Sequence, residues 1–335
     1  MRSSAVRRWC WLVVGMVFLQ LGTAHAAPSF RYARLQQQLS QPDEQIDFAE
    51  AKLLVDHLMD PSIDGPAVLR ELDSLTQAVR ARTSPGLSSR ARMDVLLSTL
   101  YVPGPWNDHR PFTYDLKDPL GKDWRAKLLS TYLRTRKGNC ASMPVLVAII
   151  GQRLGLTVTL ATAPQHMLVK FADGQTWLNV EATAGGYKWD SSYERDLDIS
   201  ASAIANQIYL RPLNPREAVG AMAAILMEQL NHDRRGDDLL ETADMLLAVN
   251  PRDTTAMVQK ANAYYLQLQD RYIGRYKTIG DIPPSLQEDY RIRSHANLEW
   301  FAKAEALGWA PPTDQNTGDY LKSIQHQLPQ GGQGK

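Results

Sequence analysis

The sequence predicts an α+β fold, with helices first, a short antiparallel sheet in the middle and an all-helical C-terminal half. Three observations predict it. Apolar stripes at helical spacing recur between positions 51 and 100. Between Leu156 and Glu181 the period changes to β-branched, strand-like runs around an Asp-Gly turn signal. From Asp198 onward helical patterns return, and the triplet Asn214-Pro215-Arg216 recurs as Asn250-Pro251-Arg252, a spacing of 36 residues.

The 335-residue chain opens like an export signal. Arg2, Arg7 and Arg8 form a basic start, Trp9 to Leu21 an apolar run too short to span a bilayer comfortably, and Ala24-His25-Ala26 a small-x-small cleavage site. Cleavage after Ala26 predicts a periplasmic or secreted protein, with no membrane span afterwards. Loss of the three arginines takes the formal net charge from +1 to −2, so nothing in the charge balance attracts nucleic acid. Cys10 leaves with the leader, and Cys140 remains without an intramolecular disulfide partner.

The expected division is a signal peptide at 1–26, an α+β domain at 27–197, a helical domain at 198–325 and a disordered tail at 326–335. Residues 27–45 are Gln-rich and polar and read as a mobile lead-in. Three helical stripes follow: Ala51, Leu54, Val55 and Leu58; Val68, Leu72, Leu75 and Val79, with Pro66 at the start; and Met93, Leu96, Leu97 and Leu100. The Pro/Gly/aromatic stretch from Val102 to Gly121 is long for a connection, and Trp106, Phe112 and Tyr114 favour an ordered loop packed on something. His109 within it reads as a solvated loop histidine. Trp124 to Leu133 reads as a helix.

Next comes RTRKGNCASMPVLVAIIGQRLGL, from Arg134 to Leu156. Asn139 is a good N-cap residue, Pro144 suits a first turn, and Val145, Ile149, Ile150 and Leu154 have helical spacing. Cys140 is thus expected in the first helical turn, where free backbone N–H groups and the helix dipole favour a thiolate. The alternative identity is a buried core cysteine.

Three strands are expected: Leu156 to Ala161, His166 to Phe171 and Thr176 to Glu181. With Asp173-Gly174 as a two-residue loop, Phe171 opposes Thr176, Val169 opposes Leu178 and Met167 opposes Val180. On the other face His166 directly opposes Glu181. Directly opposed side chains have Cβ atoms about 4.5–5.5 Å apart. A thiol, an imidazole and a carboxylate that orients the imidazole are the parts of a papain-like nucleophile. No cofactor is called for: the chain lacks a paired-His zinc motif, an acidic calcium loop and a phosphate-binding Gly-Lys-Ser/Thr loop, and no metal ligands are assigned.

These segments carry a resemblance. GNCASMPVLVAIIGQRLGL resembles the cysteine helix of the transglutaminase-like superfamily, and HMLVKFADGQTWLNVEAT resembles its histidine-to-acid segment, with Glu-Ala-Thr where Asp-Pro-Thr is common. Phe48 through Tyr114, with IDFAEAKLLVDHL and TYDLKDPLGKDW, looks like the SirB1-type branch. The resemblance implies a transglutaminase-like (papain-like) core behind N-terminal helices. It implies Cys140 as nucleophile, His166 as general base and then acid, and Glu181 as the orienting carboxylate, in acyl-transfer chemistry on peptide or protein amides. Trp124, Tyr132 and Asn139 are candidates for a second oxyanion donor beside the Cys140 N–H. The other reading is a non-catalytic envelope scaffold that uses the same fold for binding.

In the C-terminal half, Leu239, Ala243, Leu246 and Leu247 form an apolar stripe, Ile282-Pro283-Pro284-Ser285 interrupts, and Ser285 to Leu307 reads as a long helix with Leu298, Phe301 and Leu307 available for packing. The Asn-Pro-Arg recurrence resembles tetratricopeptide helix pairs, whose period is about 34 residues. That resemblance implies a protein partner for these helices, and no catalytic group is expected in them.

Overall fold

The computed structural model describes residues 32–313, together with Gly318 and Lys322. The expected export signal and the expected tail lie outside the described residues. The architecture is α+β: helices surround a four-stranded antiparallel sheet, and a helical run completes the chain.

The segment expected as a mobile lead-in is instead structured from Tyr32. Helix α1 (Ala33–Leu39) buries Leu35 and Leu39, and Tyr32 just before it is fully buried. Positions 32, 35 and 39 form a short helical stripe that the glutamines between them obscure. Helices α2 (Phe48–Met59), α3 (Gly65–Ala81) and α4 (Ser89–Tyr101) follow the three apolar stripes. Each starts at a side-chain cap: Asp47 accepts from the N–H groups of Ala49 and Glu50, Asp64 from Ala67, and Ser88 from Ala91.

The long connection after α4 is ordered. Buried Asn107 donates to the Thr99 and Val102 carbonyls and accepts from the Gly104 N–H. Arg82 lies 3.5 Å over the Trp106 ring. Phe112 packs edge-on against Tyr132 at 5.0 Å. His109 stays exposed.

The helix expected from Trp124 to Leu133 is broken. A 3-10 turn spans Trp124–Lys127, Leu128 is extended, and helix α5 runs Leu129–Thr135. A buried ion pair on α2 replaces the missing helical bonds. Lys52 contacts Asp56 and donates to the Lys127 carbonyl, while Asp56 accepts from the Leu129 N–H. Two short strands outside the main sheet also had no signal in the sequence: β1 (Thr113–Tyr114) and β2 (Lys137–Gly138), paired in parallel.

Helix α6 (Met143–Arg153) is buried along nearly its whole length, and the sheet β3 (Val158–Ala163), β4 (His166–Asp173), β5 (Thr176–Glu181), β6 (Gly186–Lys188) packs on it in sequential order. The hairpin turn corrects the sequence reading. Asp173 pairs with Thr176, so the loop is Gly174-Gln175, and the register runs Phe171–Leu178 and Val169–Val180. Gly174 has φ +64° and Gln175 is not left-handed, the sign pattern of a type II′ turn with glycine first. The expected Asp-Gly loop would have placed Asp173 at positive φ as well. The correction moves every partner by two residues, so each side chain keeps its face.

After β6, helix α7 (Asp190–Asp196) covers one face of the sheet, and a short helix α8 (Ala201–Ala205) follows. The main-chain N–H groups of Leu210 and Leu213 donate to Thr162 and Leu160, so this segment covers the free edge of β3. It leads into helix α9 (Pro215–His232), capped by an Asn214–Glu217 box. Helices α10 (Gly236–Val249), α11 (Thr254–Arg271) and α12 (Pro284–Ala306) then pack in succession. The two Asn-Pro-Arg triplets play different parts: Asn214 starts α9, whereas Asn250 ends α10 and Asp253 caps α11. Leu298 is exposed rather than packed.

One buried cluster extends from Tyr32 to Leu266 and includes Val219, Met222 and Leu226 of α9. Helix α9 thus shares its core with the N-terminal helices and the sheet. Among the described residues no helix is long and apolar enough to cross a membrane.

Candidate active site

The turn that carries Cys140 is built by its neighbours. At Gly138 a Cβ would lie 2.5 Å from the Tyr132 ring, so only glycine lets β2 pass. Asn139 then closes the turn: its Oδ1 accepts from the Ala141 N–H at 3.0 Å and the Ser142 N–H at 3.2 Å, and its own N–H donates to Ser142 Oγ at 3.1 Å. Regular helix begins only at Met143. Cys140 thus sits in a capped turn just before α6, not inside its first turn as the spacing suggested. Asn139 caps this turn as an N-cap residue does, with the Met143 N–H bonded to its carbonyl, and regular helix starts later because Pro144 has no N–H to give the Cys140 carbonyl. The Cys140 N–H itself donates to no protein group among the described residues.

The β3–β4 connection brings the second group. Ala163 pairs with His166 across a two-residue Pro164-Gln165 loop. Gln165 has φ +53°, a left-handed conformation that is costly outside glycine. The Cys140 thiol donates to the Gln165 carbonyl, with Sγ 3.6 Å from the oxygen. Cys140 also hydrogen-bonds the His166 ring.

His166 and Glu181 meet although they are not directly opposed. With Val169 opposite Val180, Glu181 falls opposite Leu168 and lies diagonal to His166 on the same face. Diagonal neighbours have Cα atoms roughly 7–8 Å apart, within reach of long side chains. The extra methylene of a glutamate helps span that gap, and His166 Nε2 lies 2.8 Å from Glu181 Oε2. The pairing of Nε2 with the carboxylate leaves Nδ1 as the ring nitrogen on the thiol side.

Glu181 is saturated with donors. Thr183 donates to Oε1 through its N–H at 3.1 Å and its hydroxyl at 2.5 Å, and the Tyr193 hydroxyl donates to Oε2 at 2.7 Å. The Tyr193 ring also lies 5.8 Å from the His166 ring. Thr183 was visible as the last residue of Glu-Ala-Thr: a threonine two positions after a carboxylate can return two donors to it. Tyr193 had no sequence signal, because it arrives on α7 from outside the hairpin. Asp190, one turn earlier on α7, anchors that helix by accepting from Lys170 at 3.0 Å and from Asn179 at 2.6 Å.

The pair is buried, at 7% exposure for His166 and 3% for Glu181. Burial alone would push the imidazole down, but the Glu181 carboxylate and the contacts with Cys140 and Glu181 raise it to about 10. Burial alone would push the carboxyl up, but the His166 cation and the hydrogen bonds from His166, Thr183 and Tyr193 bring it to about 2. Burial and the adjacent Glu181 charge hold the Tyr193 phenol well above its usual range, so it stays a donor. The arrangement is an imidazolium–carboxylate pair with a thiol on its other side.

A cavity of about 250 Å³ opens at Cys140 and His166. Of the three candidate oxyanion donors none lines it. The Asn139 carboxamide is committed to the turn and to the Ala126 carbonyl, the Tyr132 hydroxyl is buried beside Tyr101, and Trp124 stacks under Arg125. A larger, more open cleft of about 640 Å³ lies between α3 and α5 and contains none of the three groups. Among the described residues no three His, Cys, Asp or Glu side chains gather as a metal site.

No curated protein and no solved structure matches the chain significantly. Residues 66–231 match the model of a family described as the transglutaminase-like superfamily, a span that holds Cys140, His166 and Glu181 and continues through most of α9. From α3 to the last turn of α9, this chain carries a domain of the transglutaminase-like superfamily.

Proposed function

We propose that the protein is an exported, cysteine-dependent acyl-transfer enzyme acting on amide bonds, as a peptidase or amidase or by transfer to an amine. The observation that carries this reading is that one buried imidazole, His166, contacts both the Cys140 thiol and the Glu181 carboxylate. In the reaction His166 holds the proton given up by Cys140, the sulfur attacks the amide carbonyl carbon as a thiolate, and the C–N bond breaks as His166 passes that proton to the leaving amine. The thioester that remains is resolved by water or a second amine, which gives a proton back to His166 and releases the sulfur as the thiolate. Glu181 holds the ring in place and stabilises its charge. The unclaimed Cys140 N–H is the natural first donor to the oxyanion.

The basic, apolar and small-x-small run at residues 2–26 supports export to the periplasm or beyond. The N-terminal helices and the TYDLKDPLGKDW segment support the SirB1-type branch, and the successive helices α9 to α12 suit a tetratricopeptide-like role in holding a protein partner.

Activity-based labelling of envelope extracts, with the wild type beside Cys140→Ser and His166→Ala, tests the reading. Expected is a labelled thioester or thioether at Cys140 that both variants lose, together with an amide product found only with the wild type. A thiol that is inert in the wild type, with no phenotype for Cys140→Ser, would replace this reading with the non-catalytic scaffold.

A further inference from the structure

The cavity beside Cys140 has two walls. One belongs to the sheet: Thr162, Ala163 and Met167 flank Cys140 and His166. The other belongs to helices that follow the sheet in the chain. Glu217, Ala221, Ala224, Ile225 and Glu228 all line it, and their spacing of four, three, one and three residues places them along one face of α9. From 217 to 228 that face is about 16 Å long at 1.5 Å per residue. Its two ends are charged and already engaged. Arg211 holds Glu217 through both carboxylate oxygens, at 2.6 and 2.7 Å, and Lys127 pairs with Glu228. Asp253, at the far side, caps α11 by accepting from the Ala256 N–H at 3.0 Å. Glu217 and Glu228 are therefore each paired with a cation, and Asp253 is bound to a helix N-terminus. The middle of the wall is apolar, and alanine at 221 and 224 is what keeps it hollow.

On the reading of Cys140 as the nucleophile, the geometry points to α9 as the specificity wall for the acyl group: Ala221, Ala224 and Ile225 admit an acyl donor with a narrow, unbranched apolar chain and exclude a wide one. The neighbours support this assignment. Ile208 and Leu213 extend the apolar lining, and the main-chain bond from Leu213 to Leu160 ties the start of α9 to the same sheet that carries His166. The slot and the reactive groups are therefore held as one unit. Ala224 is half-buried, so a larger side chain there can project into the slot without entering the core.

Alkyl methanethiosulfonates of increasing length test the wall on the full chain. The Cys140 sulfur attacks the sulfenyl sulfur, a mixed disulfide forms and methanesulfinate leaves, so each reagent delivers a chain of known length to the site. Rates are read by mass with peptide mapping to Cys140, for the wild type, Ala224→Leu and Ile225→Val, with thermal melts to verify folding. Expected is a hexyl rate at least equal to the methyl rate in the wild type. Ala224→Leu should leave the methyl rate within about twofold and cut the hexyl rate by at least about tenfold, since one methylene in a tight apolar pocket discriminates by roughly 10–200-fold. Ile225→Val, which enlarges the slot and is the milder change, should raise the hexyl-to-methyl ratio. A hexyl rate below the methyl rate in the wild type overturns the inference, as does an equal loss of both rates in a folded Ala224→Leu. A wild-type thiol that reacts with no reagent overturns the nucleophile reading itself, which keeps the two failures apart.

Discussion

His166 and Tyr193 share one oxygen of Glu181: Nε2 of the histidine lies 2.8 Å from Oε2, and the tyrosine hydroxyl donates to the same atom at 2.7 Å. The carboxylate is thus positioned from two elements, the hairpin and α7. Tyr193→Phe keeps the ring against His166 and removes only the hydroxyl. Loss of a hydrogen bond to a buried charge costs about 1–3 kcal/mol. The expected result is a lowered unfolding free energy in that range and a shifted pH profile of Cys140 alkylation. Chemical denaturation together with alkylation from pH 4 to 10 reads both. An unchanged alkylation profile in a destabilised Tyr193→Phe would reduce the tyrosine to packing.

The same pair sets a pH window for stability. His166 is raised from 6.5 to about 10, so its contribution is fully present below about 6.5 and is lost as pH rises through 10. Glu181 is lowered from 4.5 to about 2, so its contribution is present above about 4.5 and is lost as pH falls through 2. The stability difference between wild type and Glu181→Gln should therefore be greatest between about pH 4.5 and 6.5 and shrink on both sides. Urea unfolding at a series of pH values checks it; a difference that does not vary with pH would mean that the pair is not charged.

Gly174 carries the hairpin correction in one testable position. At φ +64° a side chain costs roughly 1–2 kcal/mol, and nothing lies within 4 Å of the added Cβ to confuse the result. Gly174→Ala should lower stability by about 1 kcal/mol, while Asp173→Ala, outside the loop, should do less. The reverse order in denaturant midpoints would restore the Asp-Gly loop.

Lys52 and Asp56 are a buried pair, at 1% and 0% exposure, and they hold the break at Leu128. Removal of one partner of a buried pair typically costs about 3–5 kcal/mol. Lys52→Met should therefore be far more damaging than Lys52→Met combined with Asp56→Leu, which leaves no charge unpaired. Thermal melts of the two proteins decide, and equal melting points would show that the pair does not organise this segment.

Truncation near Pro212 is attractive from the change of pattern at 198, yet it removes α9 residues that share the core with α2, α6 and the sheet. The shortened chain is expected to lose cooperative unfolding. A folded product with normal Cys140 reactivity would show that the helical half is dispensable.

Periodicity and turn chemistry are properties of residues close in sequence, and they made much of this protein legible without coordinates. The stripes at 51–58, 68–79 and 93–100 follow the helical period of 3.6. His166 and Glu181 share a face because strand faces depend only on whether a residue count is odd or even. That parity survived a two-residue error in register, so the pair was brought together correctly for a partly wrong reason. What the chain could not disclose was set by packing between distant elements. Tyr193 reaches Glu181 only because α7 folds back over the sheet. The helix before Leu128 breaks because a buried lysine and aspartate on α2 take over its hydrogen bonds. The slot beside Cys140 exists because α9 leans on β3, a contact between segments about fifty residues apart that no local pattern encodes. Side chains three or four apart on a helix must share a face; which face of which helix closes a cavity is decided by the balance of burial across the whole core.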